Sequence, residues 1–210
     1  MFSVVYSHLS KILVKEGDVL KYGDKIGIMG TSGLSDGDHL HVGVVEGARN
    51  RLWRLDDMAR NNPKPNKVES DWIVKHDDLF MGQDGVMRKN RITTDWNSPG
   101  YYKDYGQWHP AYDVVDIGSG RPYILWNRGL EAEIKGLVVR TGYDSGHGYF
   151  VIVQYGYGWD PEPKFKPGDI VKIDKAAADQ IFGNEHLVIE GPEADGITWI
   201  RIGVSDKWVK

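Results

Sequence analysis

The amino-acid sequence predicts an all-β protein built mainly from antiparallel strands. Short runs that alternate apolar and polar residues, or are rich in β-branched residues, recur along the chain. They cover residues 2–6, 25–29, 40–45, 136–140 and 149–154. Between them stand glycine, aspartate and asparagine, the residues that favour tight turns. The stretch VKEGDVLKYGDKIG repeats a Gly-Asp turn at short intervals, which suits an antiparallel sheet.

The chain divides into four predicted segments. Residues 1–49 and 89–160 carry most of the strand patterns and all of the motifs considered for chemistry. Residues 50–88 are polar, contain NNPKPN and one short helical pattern at 52–60, and therefore predict a connection or insertion. Four apolar side chains are expected to order this segment in part: Trp53, Trp72, Ile73 and Phe80. Residues 164–210 predict a separate small β module.

The composition limits the class of function. The 210 residues suffice for one large or two small domains, and a hydrophobic content of 40% supports a packed core. A net charge of −4 without a long basic run argues against a nucleic-acid partner. Cysteine is absent, which excludes disulfides and thiolate metal sites. No apolar run approaches the ~18 residues that span a membrane, so no membrane partner is expected.

Five ionisable residues form a set that suits a mononuclear zinc hydrolase. They are His8 in YSHL, His39 and His41 in DHLH, and His109 and Asp113 in HPAYD. Such enzymes hold zinc with three nitrogen or oxygen ligands and leave one position for a water, whose pKa the metal lowers. A nearby base must then accept a proton. A spacing of two on a strand directs His39 and His41 to one face, and a spacing of four lets His109 and Asp113 meet one ion.

These motifs and the residues between them resemble the M23 (LytM/lysostaphin-like) zinc metallopeptidases, which cut peptide cross-bridges of bacterial peptidoglycan. Residues 4–47 resemble the second half of that domain, and residues 92–115 with 136–158 resemble its first half. The resemblance implies that His41, His109 and Asp113 hold Zn²⁺. It also implies that His8 and His39 act as an acid/base pair.

Two tyrosines and three further histidines are weaker candidates for a functional role. Tyr6 and Tyr112 stand beside His8 and Asp113 and are candidate substrate contacts, although core packing is expected for both. His147, in SGHGYF, is expected to be a turn residue, with substrate contact as the alternative. His76 is expected to be a solvated surface residue, with loose metal binding beside Asp77 and Asp78 as the alternative. His186 has no histidine two residues later and is expected to be a surface or core residue.

The order of the halves departs from the family pattern. The DHLH half precedes the HPAYD half, so the break falls at a hairpin, where circular permutation is commonly tolerated. Three interpretations are open: a circular permutant that closes one site within itself, a remnant of two tandem domains, or two chains that exchange halves as a homodimer.

Residues 164–210 resemble the bacterial SH3-like modules that accompany wall hydrolases. The shared features are KFKPGDIVKI, DGITWIRIG and KWVK, which predict five short strands in a small barrel. Trp199 and Trp208 are candidate contacts for glycan or peptide, although core packing is expected for at least one of them.

The sequence therefore predicts a zinc-dependent endopeptidase that cleaves peptide cross-bridges of bacterial peptidoglycan. No signal-peptide pattern is visible at the N-terminus, which favours a phage endolysin or a virion-associated lysin that reaches the cell wall at lysis or on a particle. The alternative is a non-catalytic wall-binding or structural virion module built on a degenerate fold of this family.

Overall fold

The computed structural model describes residues 1–53, 64–118, 120–128 and 134–161, and four short strands between residues 170 and 209. The chain forms two compact units, Met1–Pro161 and Glu162–Lys210. No helix within the described residues is long and apolar enough to cross a membrane.

The described strands of the first unit form one antiparallel sheet of eleven strands. They are β1 (Phe2–Ile12), β2 (Val19–Leu20), β3 (Lys25–Met29), β4 (Leu40–Glu46), β5 (Phe80–Met81), β6 (Met87–Arg88), β7 (Asn90–Thr94), β8 (Tyr112–Asp116), β9 (Tyr123–Leu125), β10 (Gly136–Asp144) and β11 (Gly148–Tyr155). The predicted antiparallel β class is thus confirmed for this unit.

Strand β1 joins the two halves of the sequence. It pairs with β3 and β4 from its own half and with β11 from the other half, where Phe2 lies opposite Tyr155. On the far side of β4, His41 lies opposite Asp113 of β8. Strands from residues 1–49 and 89–160 therefore lie side by side in one sheet within one chain.

The segment 50–88 is more than a connection between halves. It contains helix α1 (Lys67–Lys75) and strands β5 and β6, which extend the same sheet through β9. Ile73 and Phe80 are fully buried, and Trp53 is nearly so. The helix predicted at 52–60 falls mainly outside the described residues.

The main hydrophobic cluster lies between the sheet and α1. Ile73 and Val74 of the helix pack in the same cluster as Val42 and Val44 of β4 and Val114 of β8. Fully burying each of these aliphatic side chains contributes about 1.5–3 kcal/mol to folding. The cluster therefore fixes β4 and β8, the two strands that carry His41 and Asp113.

The described strands of the second unit are antiparallel in the order β12 (Ile170–Lys172), β13 (Glu185–Glu190), β14 (Ile200–Ile202) and β15 (Lys207–Val209). His186 lies in β13, and Trp208 lies in β15 opposite Arg201. Trp199 lies outside the described residues. Closure of these strands into an SH3-like barrel stays a prediction.

Candidate metal centre

Strand pairing brings all five residues of the sequence motifs together. His41 and Asp113 face each other across β4 and β8, and His109 stands four residues before Asp113. The ring of His8, in β1, lies 4.7 Å from the ring of His39 and 5.8 Å from that of His41. One chain therefore supplies every member of the predicted set.

Three ligand atoms converge on one point. His41 Nδ1 lies 3.0 Å from Asp113 Oδ1, and His109 Nε2 lies 3.1 Å from His41 Nδ1 and 3.4 Å from Asp113 Oδ1. Ligands about 2.0–2.1 Å from a tetrahedral zinc would lie roughly 3.3 Å apart. Two imidazoles and one carboxylate at this spacing fit a zinc ion, and within the described residues no other such cluster of three or more ligating side chains is found.

The electrostatics of the cluster favour forms of these three side chains that can bind a metal. Burial lowers the pKa of His41, which keeps the ring neutral. Burial alone would raise the pKa of Asp113, but hydrogen bonds from His109 and His41 outweigh it and hold that pKa well below its usual range. A neutral imidazole and an ionised carboxylate are the forms that ligate metal.

His8 is held by an irregular stretch of β1. The strand has a bulge between Tyr6 and Leu9, and His8 has φ 61, a conformation that residues other than glycine adopt uncommonly. Its Nδ1 lies 2.8 Å from the carbonyl oxygen of Ser32. A carbonyl only accepts, so Nδ1 carries the proton and Nε2 keeps its lone pair. Burial lowers the pKa of His8 to about 4, so the ring is neutral near pH 7.

His39 is oriented in the same manner. Its Nδ1 lies 2.8 Å from the carbonyl oxygen of Gly37, and its Nε2 lies 3.7 Å from Asp113 Oδ1. In the neutral ring of either residue, the carbonyl therefore places the proton on Nδ1 and leaves Nε2 as an acceptor next to the cluster. Two fixed acceptors beside a metal centre are suited to taking up and returning a proton.

The site opens into a cleft of about 460 Å³. His8, His41 and His109 line it together with Tyr101 and His147. Leu34, Trp53 and Gln107 also line the cleft. The long segment 50–88 thus contributes to the cleft through Trp53.

Helix α2 (Pro99–Tyr105) places an aromatic ring against a ligand. The Ser98 side chain caps its first turn, and Gly106, with φ 69, ends it. The ring of Tyr101 then packs 4.5 Å from that of His109. The sequence did not predict this contact, although the Ser-Pro start and the glycine stop are visible signals of a short helix.

The two tyrosines offered as substrate contacts lie in the core instead. Tyr6 is 0% exposed and Tyr112 is 1% exposed, and neither lines the cleft. The Tyr112 hydroxyl donates to Asp71 of α1, away from the ligand atoms. Strand alternation explains the result for Tyr112, which is the immediate neighbour of Asp113 and points to the opposite face of β8. Tyr6 stands two residues before His8, and the bulge between Tyr6 and Leu9 breaks the alternation that would place both on one face.

The remaining histidines have different surroundings. His76, expected on the solvated surface, stacks on Trp72 with ring centroids 4.0 Å apart, and its Nδ1 lies 2.6 Å from the Trp72 carbonyl oxygen, so it is a structural residue at the end of α1. His147 lies in the cleft, with its ring 6.2 Å from that of His41.

Known proteins match part of this chain. The model of Peptidase family M23 matches residues 1–52, which contain His8, His39 and His41. An "Uncharacterized metalloprotease" of Buchnera aphidicola is 59% identical over 39 residues, or 19% of this chain. The Vibrio cholerae proteins "Peptidoglycan DD-endopeptidase ShyA" and "Peptidoglycan DD-endopeptidase ShyB" are 38% identical over 76 residues and 45% identical over 70 residues, covering 35% and 33% of this chain.

These alignments are short on both sides. They cover 10% of the Buchnera protein and 17% and 16% of the two Vibrio proteins. No solved structure matches the chain significantly.

Proposed function

We propose that this chain is a zinc-dependent endopeptidase that cleaves peptide cross-bridges of bacterial peptidoglycan. The observation that carries the proposal is the convergence of His41 Nδ1, His109 Nε2 and Asp113 Oδ1 within 3.4 Å of one another. Beside them stand His8 and His39, each with Nδ1 facing a backbone carbonyl and Nε2 placed to accept a proton. The match of residues 1–52 to a peptidase family, and relatives named as peptidoglycan endopeptidases, support the same reaction class.

His41, His109 and Asp113 would hold the zinc ion. Bound there, zinc would act as a Lewis acid towards a scissile carbonyl and would lower the pKa of the attacking water towards neutrality. His8 and His39 act on protons: the lone pair on Nε2 of either ring accepts one and returns it to the departing amine. The backbone carbonyls of Ser32 and Gly37 keep the proton on Nδ1 of each ring, so that Nε2 is the atom that exchanges a proton.

We infer further that the catalytic unit is a circular permutant that closes its site within one chain. Phe2 pairs with Tyr155, and the Gly47 amide donates to the Met1 carbonyl, so the start of the chain is built into the sheet. In the unpermuted order a short hairpin would join β11 to β1, which are antiparallel neighbours. A site completed by one chain makes exchange of halves between two chains unnecessary.

The test separates ligands from proton carriers. His8→Ala and His39→Ala should each reduce turnover of purified peptidoglycan by about 10²–10⁴-fold, because each removes a proton acceptor. Zinc content should stay at the wild-type level in both. His41→Ala should lose zinc and activity together, since it removes a ligand. His76→Ala, remote from the cleft, is the matched control.

Two results would contradict the proposal. Loss of zinc in the His8 and His39 variants would overturn their assigned role. A wild-type protein that binds peptidoglycan but does not cleave it would favour the non-catalytic wall-binding module.

A further inference from the structure

The turn between β10 and β11 carries a side-chain pair that the proposed reaction does not use. Asp144 ends β10, and His147 stands three residues later at the wall of the cleft. The Nδ1 atom of His147 lies 3.3 Å from Asp144 Oδ1. The side chains of His147 and Asp144 are 22% and 31% exposed, so the pair is accessible without being loose on the surface.

Asp144 is fixed before any ligand arrives. Its Oδ1 accepts the backbone N–H groups of Gly146 at 2.9 Å and His147 at 3.2 Å as well as the His147 ring. These backbone hydrogen bonds hold the pKa of Asp144 below its usual range. The bond from the His147 N–H has the largest effect and the bond from the Gly146 N–H the next largest. The carboxylate is therefore ionised near pH 7 and acts only as an acceptor.

The turn is also locked to the loop that orients His8. The carbonyl oxygen of His147 accepts the N–H of His8 at 2.8 Å, and that of Gly146 accepts the N–H of Leu34 at 2.9 Å. The Ser32 hydroxyl accepts the N–H of Tyr149 at 2.9 Å. His147 thus has a set distance from the reacting groups, as a positioning side chain requires.

The tautomer of His147 follows from its partner. Because Asp144 can only accept, Nδ1 of a neutral His147 carries the proton, and Nε2 presents a lone pair. Among the described residues no side chain or backbone group partners that Nε2 atom. No lysine or arginine is among the described residues that line the cleft. This part of the cleft is therefore suited to a substrate group that donates a hydrogen bond, and not to a substrate carboxylate.

We propose that His147 is a substrate-positioning residue whose Nε2 accepts a hydrogen bond from an N–H of the bound cross-bridge, either a backbone amide or an amine. The inference rests on the proposed function, because it names a subsite of the same cleft. What distinguishes it from His8 and His39 is its partner, since its Nδ1 faces the Asp144 carboxylate on the turn between β10 and β11 and not a backbone carbonyl. It acts on binding and not on the proton transfer.

Kinetics of four variants on a purified cross-linked muropeptide dimer test this role. His147→Ala should raise KM by about 5–10-fold, the loss expected for one hydrogen bond. Its kcat should stay within about threefold of wild type, with unchanged zinc content. His147→Gln, which keeps an acceptor oxygen, should recover part of the affinity. Asp144→Ala removes the acceptor that sets the tautomer and should raise KM as His147→Ala does. His76→Ala should match the wild type.

Each other outcome overturns the proposal. A fall in kcat with an unchanged KM would make His147 part of the proton transfer, and loss of zinc would make it structural. An unchanged KM and kcat would show that it does not contact the substrate.

A failure of the endopeptidase function itself would be recognised separately, by a wild-type protein that binds zinc and leaves the dimer intact. In that case calorimetric binding of the intact dimer decides: His147→Ala should bind about 5–10-fold more weakly than wild type. Equal affinity would overturn the subsite.

Discussion

At the scale of single residues, the chemistry depends on which imidazole nitrogen is free. His8 and His39 each commit Nδ1 to a backbone carbonyl, whereas His41 turns Nδ1 towards the other ligands. The sequence predicted these residues because each motif is local. It could not predict the tautomers, because the carbonyls of Ser32 and Gly37 become partners only once the loop before β4 is folded.

The position of His147 in the cleft also could not be predicted from the sequence. Its surroundings in the sequence, a glycine-rich turn, predict a turn residue, and it is one. Its place in the cleft comes from the turn packing on the loop at residues 32–34, which the sequence alone does not reveal. Tyr6 and Tyr112 are buried, in line with the core packing expected for both, and neither lines the cleft.

A glycine tests whether that packing matters. Gly33 has φ +77, and an added Cβ would overlap the backbone of Gly148 and Gly146. Gly33→Ala should therefore destabilise the fold by at least about 1 kcal/mol. Turnover should also fall, because the loop that holds His8 is displaced. Urea denaturation and peptidoglycan hydrolysis measure the two effects.

Gly100→Ala in α2 is the control, since a Cβ there meets only the Ser98 hydroxyl at 3.6 Å. Equal stability of the Gly33 and Gly100 variants would refute the importance of this contact.

At the scale of elements, strands were predictable and helices were missed. The strand patterns at 2–6, 25–29, 40–45, 136–140 and 149–154 all fall within or overlap observed strands. Helix α1 follows NNPKPN, which predicted a connection, although Asn66 caps the helix by accepting from the N–H of Glu69. An Asn followed three residues later by Glu is a helix-start signal that the proline-rich context obscured.

A buried ion pair attaches α1 to the sheet. Arg128 donates to Glu69 at 2.9 Å, and their side chains are 4% and 7% exposed. The hydroxyls of Tyr155 and Tyr157 also donate to Glu69, at 2.9 and 2.8 Å. Burial alone would raise the pKa of Glu69, but hydrogen bonds from Arg128, Tyr157 and Tyr155 outweigh it and lower the pKa. Because the pKa of Glu69 is lower in the folded protein than in the unfolded chain, ionised Glu69 stabilises the fold at pH values above its unfolded-state pKa. This stabilisation is lost as the pH falls through the folded-state pKa.

Removing one partner of the Arg128–Glu69 ion pair should lower the stability of the fold more than removing both. Arg128→Met leaves a buried carboxylate unpaired and should destabilise the protein by about 3–5 kcal/mol at pH 7. The Arg128→Met/Glu69→Met double variant should be more stable than the single one. As pH falls and Glu69 is protonated, the cost of Arg128→Met should shrink. Denaturation at pH 7 and at lower pH measures all three, and an equal cost at both pH values would argue against the ion pair.

At the scale of the whole molecule, the sequence predicted two halves in unusual order but not how they combine. The proposal of a site closed within one chain depends on the pairing of β1 with β11, a contact between Phe2 and Tyr155 that no local pattern encodes. The second unit has four described antiparallel strands, and its barrel form and wall-binding role stay predictions. The phage origin also stays a prediction.

The division into two units predicts separable roles. A chain ending at Pro161 keeps the first unit and all five site residues. It should retain zinc and should hydrolyse a soluble muropeptide dimer at a rate within a few-fold of the full chain. Its binding to insoluble peptidoglycan in a sedimentation assay should weaken, because the second unit is removed. Full retention of wall binding would contradict the role predicted for that unit.

The central claim is that one chain assembles one zinc site, and zinc stoichiometry of the monomer tests it most directly. The protein should be dialysed against a weak chelator, separated by gel filtration, and assayed for zinc and protein in the monomer fraction. We predict close to one zinc per chain in wild type and close to none in His109→Ala, whose substitution removes the most deeply buried ligand. Close to none in the wild-type monomer would contradict the claim.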